Sequence, residues 1–290
     1  MPTDFEILDR EAEQIVREIG IPPCPAILTR LMQEMRSEEP DFGKLGKLIS
    51  GDVSLAAAMM KTVNSPFYGL RNKATSVTQA IALLGLRQVA ELVSGLLLRQ
   101  AFPGGSSDLM DEFWETSSRI AQINDLLVRH FKHVRRDGLQ TFGLFRDCGM
   151  LVMMQRFENY KPVLPGLRRI SDVSVTAGED TCYKIDHARV GYQMARAWLL
   201  PDGVCQAILR HHDYRELLAT GAGLPDQNLQ HIALTLAAES IFVEHELDVA
   251  SAEWVLGGAF ALEQMGVTQA GLDEIAVAIT SELVAQQRQA

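Results

Sequence analysis

The chain has 290 residues, of which 47% are hydrophobic, and it carries a formal net charge of −10. This composition supports a sizeable hydrophobic core and excludes an extended disordered chain. The acidic balance argues against a general nucleic-acid binder, because such proteins usually present a basic face. No apolar run reaches the ~18 residues of a membrane span. We therefore expect a soluble, cytoplasmic protein that contacts neither nucleic acid nor membrane.

In the first third of the chain, apolar residues recur at the three- and four-residue steps of amphipathic helices. One such helix is predicted over residues 4–19, and Gly20 ends it. Pro22, Pro23 and Pro25 then hold the chain extended. The predicted capping residues that follow are Asp41 and Asp52 as N-caps, Asn64 as a left-handed C-cap, and Ser76 at the start of an S-x-x-Q capping box with Gln79.

The clearest change of composition is the segment PGGSS at residues 103–107. We place there the boundary between a first lobe, residues 1–105, and a second lobe, residues 106–290. No stretch of four to eight residues alternates between apolar and polar side chains as an exposed strand does. The sequence therefore predicts an all-α fold made of two helical lobes.

Beyond the boundary, the same periodicity predicts a long helix over residues 109–132 and an apolar helix near 141–156. Two further caps are predicted: Thr176 with Glu179 as a second capping box, and Asp186 as an N-cap. The remaining predicted helices are one that ends at His211–Asp213 and three that span residues 228–246, 251–265 and 271–288.

Three features follow one another in residues 21–85: a proline-punctuated opening, a small-residue helix that leads into NSPFYG, and the capped helix at Ser76. Together they resemble the HDOD module, a bacterial signalling domain related to the HD metal-dependent phosphohydrolases, over about residues 21–215. The residues that carry the resemblance are Pro23, Pro25, Asp52, Asn64, Ser65, Tyr68 and Gly69. It implies a helical module that binds signalling proteins or a ligand, in cyclic-dinucleotide or two-component pathways, and a second lobe like the HD core.

The HD relatives hold one or two divalent metals with a His, an adjacent His-Asp pair and a later Asp, and the metal lowers the pKa of a bound water. The resemblance places Thr116 at the first His, Arg146-Asp147 at the His-Asp pair, and Glu239 nearest to the last Asp. Thr116 is a poor ligand in this role, and Arg146 has no lone pair to donate. We therefore expect a degenerate, non-catalytic site that holds neither a metal nor another cofactor.

Three histidines leave an enzyme open as the alternative. His187 lies in DHARVG, which resembles the H-x-x-x-G step that follows the family's His-Asp pair, and His211-His212 ends the next predicted helix. With Asp147, these imidazoles could coordinate a metal, as in a phosphohydrolase with an unusual ligand set that acts on a nucleotide or cyclic dinucleotide. Otherwise His211 and His212 only complement a helix dipole, and His187 only satisfies backbone groups beside Asp186.

Two further binding sites are open on sequence grounds. Arg146 could bind the phosphate of a nucleotide where a metal once sat, because a guanidinium matches phosphate oxygens in pairs. In that case Arg146→Ala abolishes stabilisation by the nucleotide. His130 and His133 lie in the most basic run of the chain, residues 128–136. This run is either a solvated helix end or a docking patch for an acidic partner or a nucleotide phosphate.

Overall fold

The computed structural model describes residues 20–289, apart from residues 36, 38–39, 66–67, 69, 71–72, 103–107, 137, 169–172 and 248. The predicted helix over residues 4–19, the boundary segment 103–107 and the family-motif residue Gly69 lie outside the described residues. Every regular element within the described residues is helical, which confirms the all-α prediction. In this part of the chain, no helix combines the length and the hydrophobicity that crossing a bilayer requires.

The chain divides into two compact units. The smaller unit is Pro23–Gly104 with Ala278–Ala290, and the larger unit is Met1–Pro22 with Gly105–Val277. The helices of the smaller unit up to residue 101 are α1 (Ala26–Met35), α2 (Phe42–Ser50), α3 (Val53–Val63), α4 (Val77–Leu84) and α5 (Leu86–Ala101). Their apolar stripes form a core in which Leu31, Ile49 and Val93 are fully buried.

Side-chain caps start three of these helices as predicted. Asp41, Asp52 and Ser76 each accept a hydrogen bond from the backbone N–H three residues further on. The capping box at α4 differs in one detail, because Gln79 Oε1 accepts from the backbone N–H of Thr75, at 2.7 Å, rather than from that of Ser76. The satisfied backbone group is therefore one residue earlier than in a standard capping box.

The predicted left-handed conformation of Asn64 is wrong. Its φ of −86° and ψ of 3° lie outside the left-handed region. The side chain makes the contacts instead: Oδ1 accepts from the Ala74 N–H at 2.7 Å, and Nδ2 donates to the Ala74 carbonyl at 2.9 Å. This pair of bonds ties the end of α3 to the segment just before α4, so Asn64 holds the two ends of the family-motif loop together.

The described residues of the larger unit include ten α-helices before the last one. They are α6 (Asp108–Leu127), α7 (Leu139–Phe145), α8 (Cys148–Arg156), α9 (Tyr160–Leu167), α10 (Val175–Tyr183), α11 (His187–Ala197), α12 (Asp202–Arg210), α13 (Tyr214–Thr220), α14 (Asp226–Glu246) and α15 (Ala252–Met265). A last helix, α16 (Gln269–Gln289), begins in this unit. Helix α11 packs against α8 and α12, and α14 packs against α6 and α15.

The long helix predicted over residues 109–132 is wrong at its end, because α6 ends at Leu127. The chain then turns, since the apolar residues that follow at three-residue spacing are buried, namely Val128, Phe131 and Val134. Bonds between residues three apart, such as that from the His130 N–H to the Leu127 carbonyl, close the last turn. His130 and His133 therefore lie in an exposed loop and not on a helix end.

The apolar helix predicted near residues 141–156 is in fact two helices, α7 and α8. They are separated by a break at Arg146 and Asp147, and Asp147 has φ −101° and ψ 12° at the start of α8. Apolar periodicity continues through the break, so the sequence pattern does not reveal it. Because of this break, the side chains of Arg146 and Asp147 point in other directions than they would on one continuous helix.

The second predicted capping box is also wrong. Ser174, and not Thr176, is the N-cap of α10 and accepts from the backbone N–H of Ala177 at 3.3 Å. Glu179 therefore does not cap α10. Its side chain lies one turn into the helix and is fully buried.

Candidate functional site

Three helix ends of the larger unit meet at one group of side chains. Asp147 is the N-cap of α8, His187 is the first residue of α11, and His211 and His212 directly follow α12. We call these four residues the central cluster. Asp186 caps α11 as predicted and leaves the His187 ring to point inward. The structure thus brings together four of the candidate residues predicted from the sequence.

A very close approach of α8 and α11 sets Asp147 beside His187. A Cβ atom on Gly149 would lie 2.0 Å from the His187 carbonyl oxygen and 2.7 Å from the Gly191 nitrogen. Only a hydrogen atom fits in that space. A Cβ atom on Gly191 would likewise lie 3.3 Å from the Gly149 nitrogen. Two glycines therefore allow the helices to cross in contact near their N-termini.

The three imidazole rings and the Asp147 carboxylate converge. Asp147 Oδ1 lies 3.4 Å from His187 Nε2 and 3.3 Å from His211 Nε2. The Nε2 atoms of His187 and His212 are 3.2 Å apart. One donor atom from each of the four residues lies within 4.8 Å of the others. Nitrogen and carboxylate donors at these spacings can hold a metal ion.

Each imidazole ring is oriented by an acceptor at its other nitrogen. The Nδ1 partners are Glu179 Oε2 for His187 (2.7 Å), the Ile208 carbonyl for His211 (2.7 Å) and Glu253 Oε2 for His212 (2.8 Å). Carbonyl and ionised carboxylate oxygens only accept, so each Nδ1 carries a proton and donates it. In the neutral rings, the lone pairs are therefore on the three converging Nε2 atoms.

Glu179 is the buried carboxylate that holds His187. It accepts from the His187 backbone N–H at 2.8 Å as well as from Nδ1, and the Tyr160 hydroxyl donates to its other oxygen. Burial raises the pKa of Glu179, but the charge of His187 and these hydrogen bonds shift it downward overall. Burial lowers the pKa of His187, whereas Glu179 and Asp147 raise it to about 10. The carboxylates around His187 therefore favour the protonated, positively charged form of this ring.

The pKa values of His211 and Asp147 are both shifted below their ordinary values. Burial and the charge of His212 lower the pKa of His211 to about 4, against the attraction of Asp147. Burial raises the pKa of Asp147, but Arg146 and hydrogen bonds from His187 and His211 bring it well below its ordinary value. At neutral pH, Asp147 is therefore an anion, and His211 is a neutral ring with an available lone pair.

Glu253 supports His212 from α15. The Tyr214 hydroxyl donates to the same oxygen, Oε2, at 2.7 Å, and the Val175 N–H donates to Oε1 at 3.4 Å. Tyr214 reaches this position because residue 257, one turn along α15, is a glycine: a Cβ atom there would lie 2.6 Å from Tyr214 Cδ1. The ring of His212 is thus oriented by a carboxylate that is itself held by two donors.

Acidification is expected to weaken the larger unit through Glu253. Burial raises its pKa, but the charge of His212 and hydrogen bonds from His212 and Tyr214 lower it from 4.5 to about 2. A carboxyl group with a depressed folded-state pKa stabilises the fold above pH 4.5, and this contribution is lost as the pH falls toward 2. At about 1.4 kcal/mol per pKa unit, the loss is about 3 kcal/mol.

Tryptophan fluorescence at different pH values tests this expectation, because all three tryptophans lie in the larger unit: Trp114, Trp198 and Trp254. The free energy of unfolding should fall more steeply below pH 4.5 in the wild type than in Glu253→Gln. Parallel pH dependences in the two proteins would contradict the assigned role of Glu253.

Arg146 occupies the other side of Asp147. Its Nε lies 3.0 Å from Asp147 Oδ2, its Nη2 lies 3.2 Å from Glu239 Oε2, and its Nη1 donates to the Thr235 carbonyl at 3.5 Å. Burial disfavours the charge, but the two carboxylates raise the pKa of Arg146, so it remains a cation. Adjacent side chains on a regular helix do not face each other; these two pair because they lie in the break between α7 and α8.

The ligand set expected of an HD metal centre does not fit this arrangement. The Arg146 guanidinium bridges Asp147 and Glu239, the two carboxylates that such a centre would use, and it has no lone pair for a metal. Thr116 and Asp147 both line a cavity of about 20 Å³, which has room for about one water. Arg146, which also holds Glu239, therefore pairs with Asp147 on its Oδ2 side, away from the imidazoles, and Thr116 shares only a small cavity with Asp147.

A larger cavity, of about 350 Å³, opens beside His212. Its walls include Ser174, Tyr214 and Arg215 as well as His212. This volume falls in the range of small-molecule sites. Of these two cavities, the one beside His212 is therefore the one that can admit a ligand larger than water.

Four residues that organise the central cluster were not predicted to do so: Tyr160, Glu179, Tyr214 and Glu253. Tyr214 follows His211-His212-Asp213 directly, so its position in the sequence was an available signal. Glu253 is 41 residues from His212, and nothing local marks it. The described family-motif residues lie in the smaller unit and are not members of the cluster: Pro23, Pro25, Asp52, Asn64, Ser65 and Tyr68.

The curated relatives of this chain are matched over only part of their length. An uncharacterized protein of Treponema pallidum (strain Nichols) is 21% identical over 216 residues, which cover 70% of this chain and 41% of that protein. The chain thus spans less than half the length of this curated relative. This similarity extends over a long segment, but it does not assign an activity to this chain.

Solved structures and a family model agree on the fold. An HDOD domain protein of unknown function from Geobacter sulfurreducens has a TM-score of 0.72 at 19% identity and covers 98% of this chain and 97% of its own. A candidate signal transduction protein from Marinobacter aquaeolei VT8 has a TM-score of 0.69 at 21% identity, over 97% of this chain and 65% of its own. The model of the HDOD domain matches residues 21–214, well over half of the sequence. The chain therefore belongs to the HDOD domain family.

Proposed function

We propose that this protein is a signal-transduction module that acts by binding, and that its HD-like site does not hydrolyse phosphate esters. The observation that carries the proposal is the position of Arg146, 3.0 Å from Asp147 and 3.2 Å from Glu239. An HD phosphohydrolase needs its carboxylates to hold a metal that activates water. At this site a permanent cation bridges them instead, and it would repel a metal ion placed there.

The available space supports the same proposal. The cavity shared by Thr116 and Asp147 has a volume of about 20 Å³, which is too small for a phosphate ester together with its attacking water. A nucleotide-sized ligand would instead enter the cavity beside His212, where Arg215 could meet a phosphate. The binding partner that we propose first is a signalling protein, in keeping with the HDOD family.

A hydrolysis assay on the untagged full chain tests the proposal. The substrates are bis(p-nitrophenyl) phosphate, nucleoside monophosphates and a cyclic dinucleotide, each with Mg²⁺, Mn²⁺ or Zn²⁺ in turn. We expect no turnover above that of an Asp147→Asn variant, because no metal-activated water is held on the Arg146 side of Asp147. A metal-dependent rate that Asp147→Asn abolishes would support the alternative, a phosphohydrolase with an unusual ligand set.

A further inference from the structure

We infer that Asp147, His187, His211 and His212 bind one divalent transition-metal ion, with the coordination chemistry of Zn²⁺, in a closed site of four protein ligands. This departs from the metal-free site expected from Thr116 and Arg146, because different residues supply the ligands. It goes beyond the proposed function, since it assigns a resident ion with a structural role. Metal binding and turnover are measured separately, so either proposal can fail without the other.

The distances in the central cluster match a tetrahedron around zinc. Ligand atoms about 2.0–2.1 Å from Zn²⁺ lie about 3.4 Å from one another in a regular tetrahedron. Three of the six edges of the cluster are 3.2 Å (His187–His212), 3.3 Å (His211–Asp147) and 3.4 Å (His187–Asp147). The other edges are no longer than 4.8 Å. Small rotations of the rings would therefore complete the tetrahedron.

The hydrogen bonds around the cluster direct lone pairs toward its centre. Because every Nδ1 donates outward, the Nε2 atoms of His187 and His212 face each other 3.2 Å apart. Asp147 Oδ1 adds a negative charge to the same space. A cation at the centre stabilises this arrangement: a proton on His187 Nε2 in the metal-free protein, or a metal ion that displaces this proton. Carboxylates and carbonyls at the outer nitrogen are also the usual partners of metal-bound histidines.

The two oxygens of the Asp147 carboxylate have different partners, so Asp147 can contact both Arg146 and a metal ion. Oδ2 is held by Arg146 at 3.0 Å, whereas Oδ1 faces His187 and His211. Asp147 can therefore be a single-oxygen ligand of an ion among the imidazoles while it remains paired with Arg146.

The ligand types favour a transition-metal ion. Imidazole nitrogens suit first-row transition ions better than Mg²⁺ or Ca²⁺.

The ligand count points to a structural role. Four protein ligands fill a tetrahedral site, whereas catalytic zinc keeps one position for water. The ligands are also largely shielded from solvent: the side chains of His187, His211, His212 and Asp147 are 0%, 7%, 8% and 14% exposed. The ion would tie the N-termini of α8 and α11 to the C-terminus of α12 and so fix the packing of three helices.

The first experiment measures the metal content of untagged protein purified without chelators, by elemental mass spectrometry. We expect about one zinc or related ion per chain. After stripping with a chelator, added Zn²⁺ should raise the Tm, and added Co²⁺ should give the intense visible absorption of a tetrahedral site. A wild type that binds neither ion and shows no change in Tm would overturn the inference.

Variants identify the ligands. His212→Gln removes the most exposed of the three rings and should abolish both the bound ion and the zinc-dependent rise in Tm. Glu253→Gln keeps all four ligands but weakens the orientation of His212, so it should lower the metal affinity about 10- to 100-fold. The control is the double variant His130→Gln/His133→Gln, which alters two exposed loop histidines and should bind metal as the wild type does. Wild-type binding by His212→Gln, or loss of binding in the control alone, would place the ion elsewhere.

Discussion

Gly149→Ala is expected to destabilise the larger unit by about 3 kcal/mol or more, at the upper end of overpacking effects. The added Cβ would lie 2.0 Å from the His187 carbonyl oxygen and 2.7 Å from the Gly191 nitrogen. Both are backbone atoms of α11, so they cannot rotate away as a side chain can. Helices α8 and α11 must separate to admit the methyl group, and Asp147 moves away from His187. We therefore expect the central cluster to lose its geometry as well.

Guanidinium unfolding, followed by tryptophan fluorescence, measures this loss in the larger unit alone. Gly166→Ala is the matched control, because a Cβ atom there, in α9, meets nothing within 4 Å. Since alanine is the better helix former, this control should be neutral or more stable than the wild type by up to about 1 kcal/mol. Equal unfolding midpoints for the two variants would show that α8 and α11 do not approach this closely.

Arg146→Leu is expected to cost about 3–5 kcal/mol of stability, as for other broken buried ion pairs. The side chain of Arg146 is only 6% exposed and lies between Asp147 and Glu239. Leucine fills part of the volume but leaves both carboxylates without their cation and removes the hydrogen bond from Arg146 to the Thr235 carbonyl. Part of the loss should return in Arg146→Leu/Glu239→Leu, because one of the stranded carboxylates is then removed.

The control for this change is Arg129→Leu, the same substitution in an exposed pair. Arg129 lies 2.9 Å from Asp125, and its side chain is 45% exposed. An exposed pair of this kind contributes about 0.5 kcal/mol. The same fluorescence-detected unfolding compares the two variants. If Arg146→Leu is no less stable than Arg129→Leu, Arg146 is not the buried counter-ion of Asp147 and Glu239.

The residues of the central cluster could be chosen from the sequence, but their arrangement could not. Asp147, His187, His211 and His212 stand out as metal-ligating residue types near positions that resemble the HD motifs. On a continuous helix Arg146 and Asp147 would not face each other, so their pairing depends on the break between α7 and α8. The break is stabilised by contacts of Arg146 with α14, including a bond to a carbonyl 89 residues away. A periodic apolar pattern carries no information about such a distant partner.

By itself, the sequence determined the helical class and the starts of helices, since these depend on interactions within a few residues. Asp41, Asp52, Ser76 and Asp186 cap their helices as expected because a cap reaches only the next turn. Only the tertiary structure decided that three imidazoles and one carboxylate face a common point. That outcome depends on the close crossing of α8 and α11 and on Glu179 and Glu253, which hold the rings from other helices. Side chains far apart in the chain are oriented by packing, and packing is settled only when the whole core is assembled.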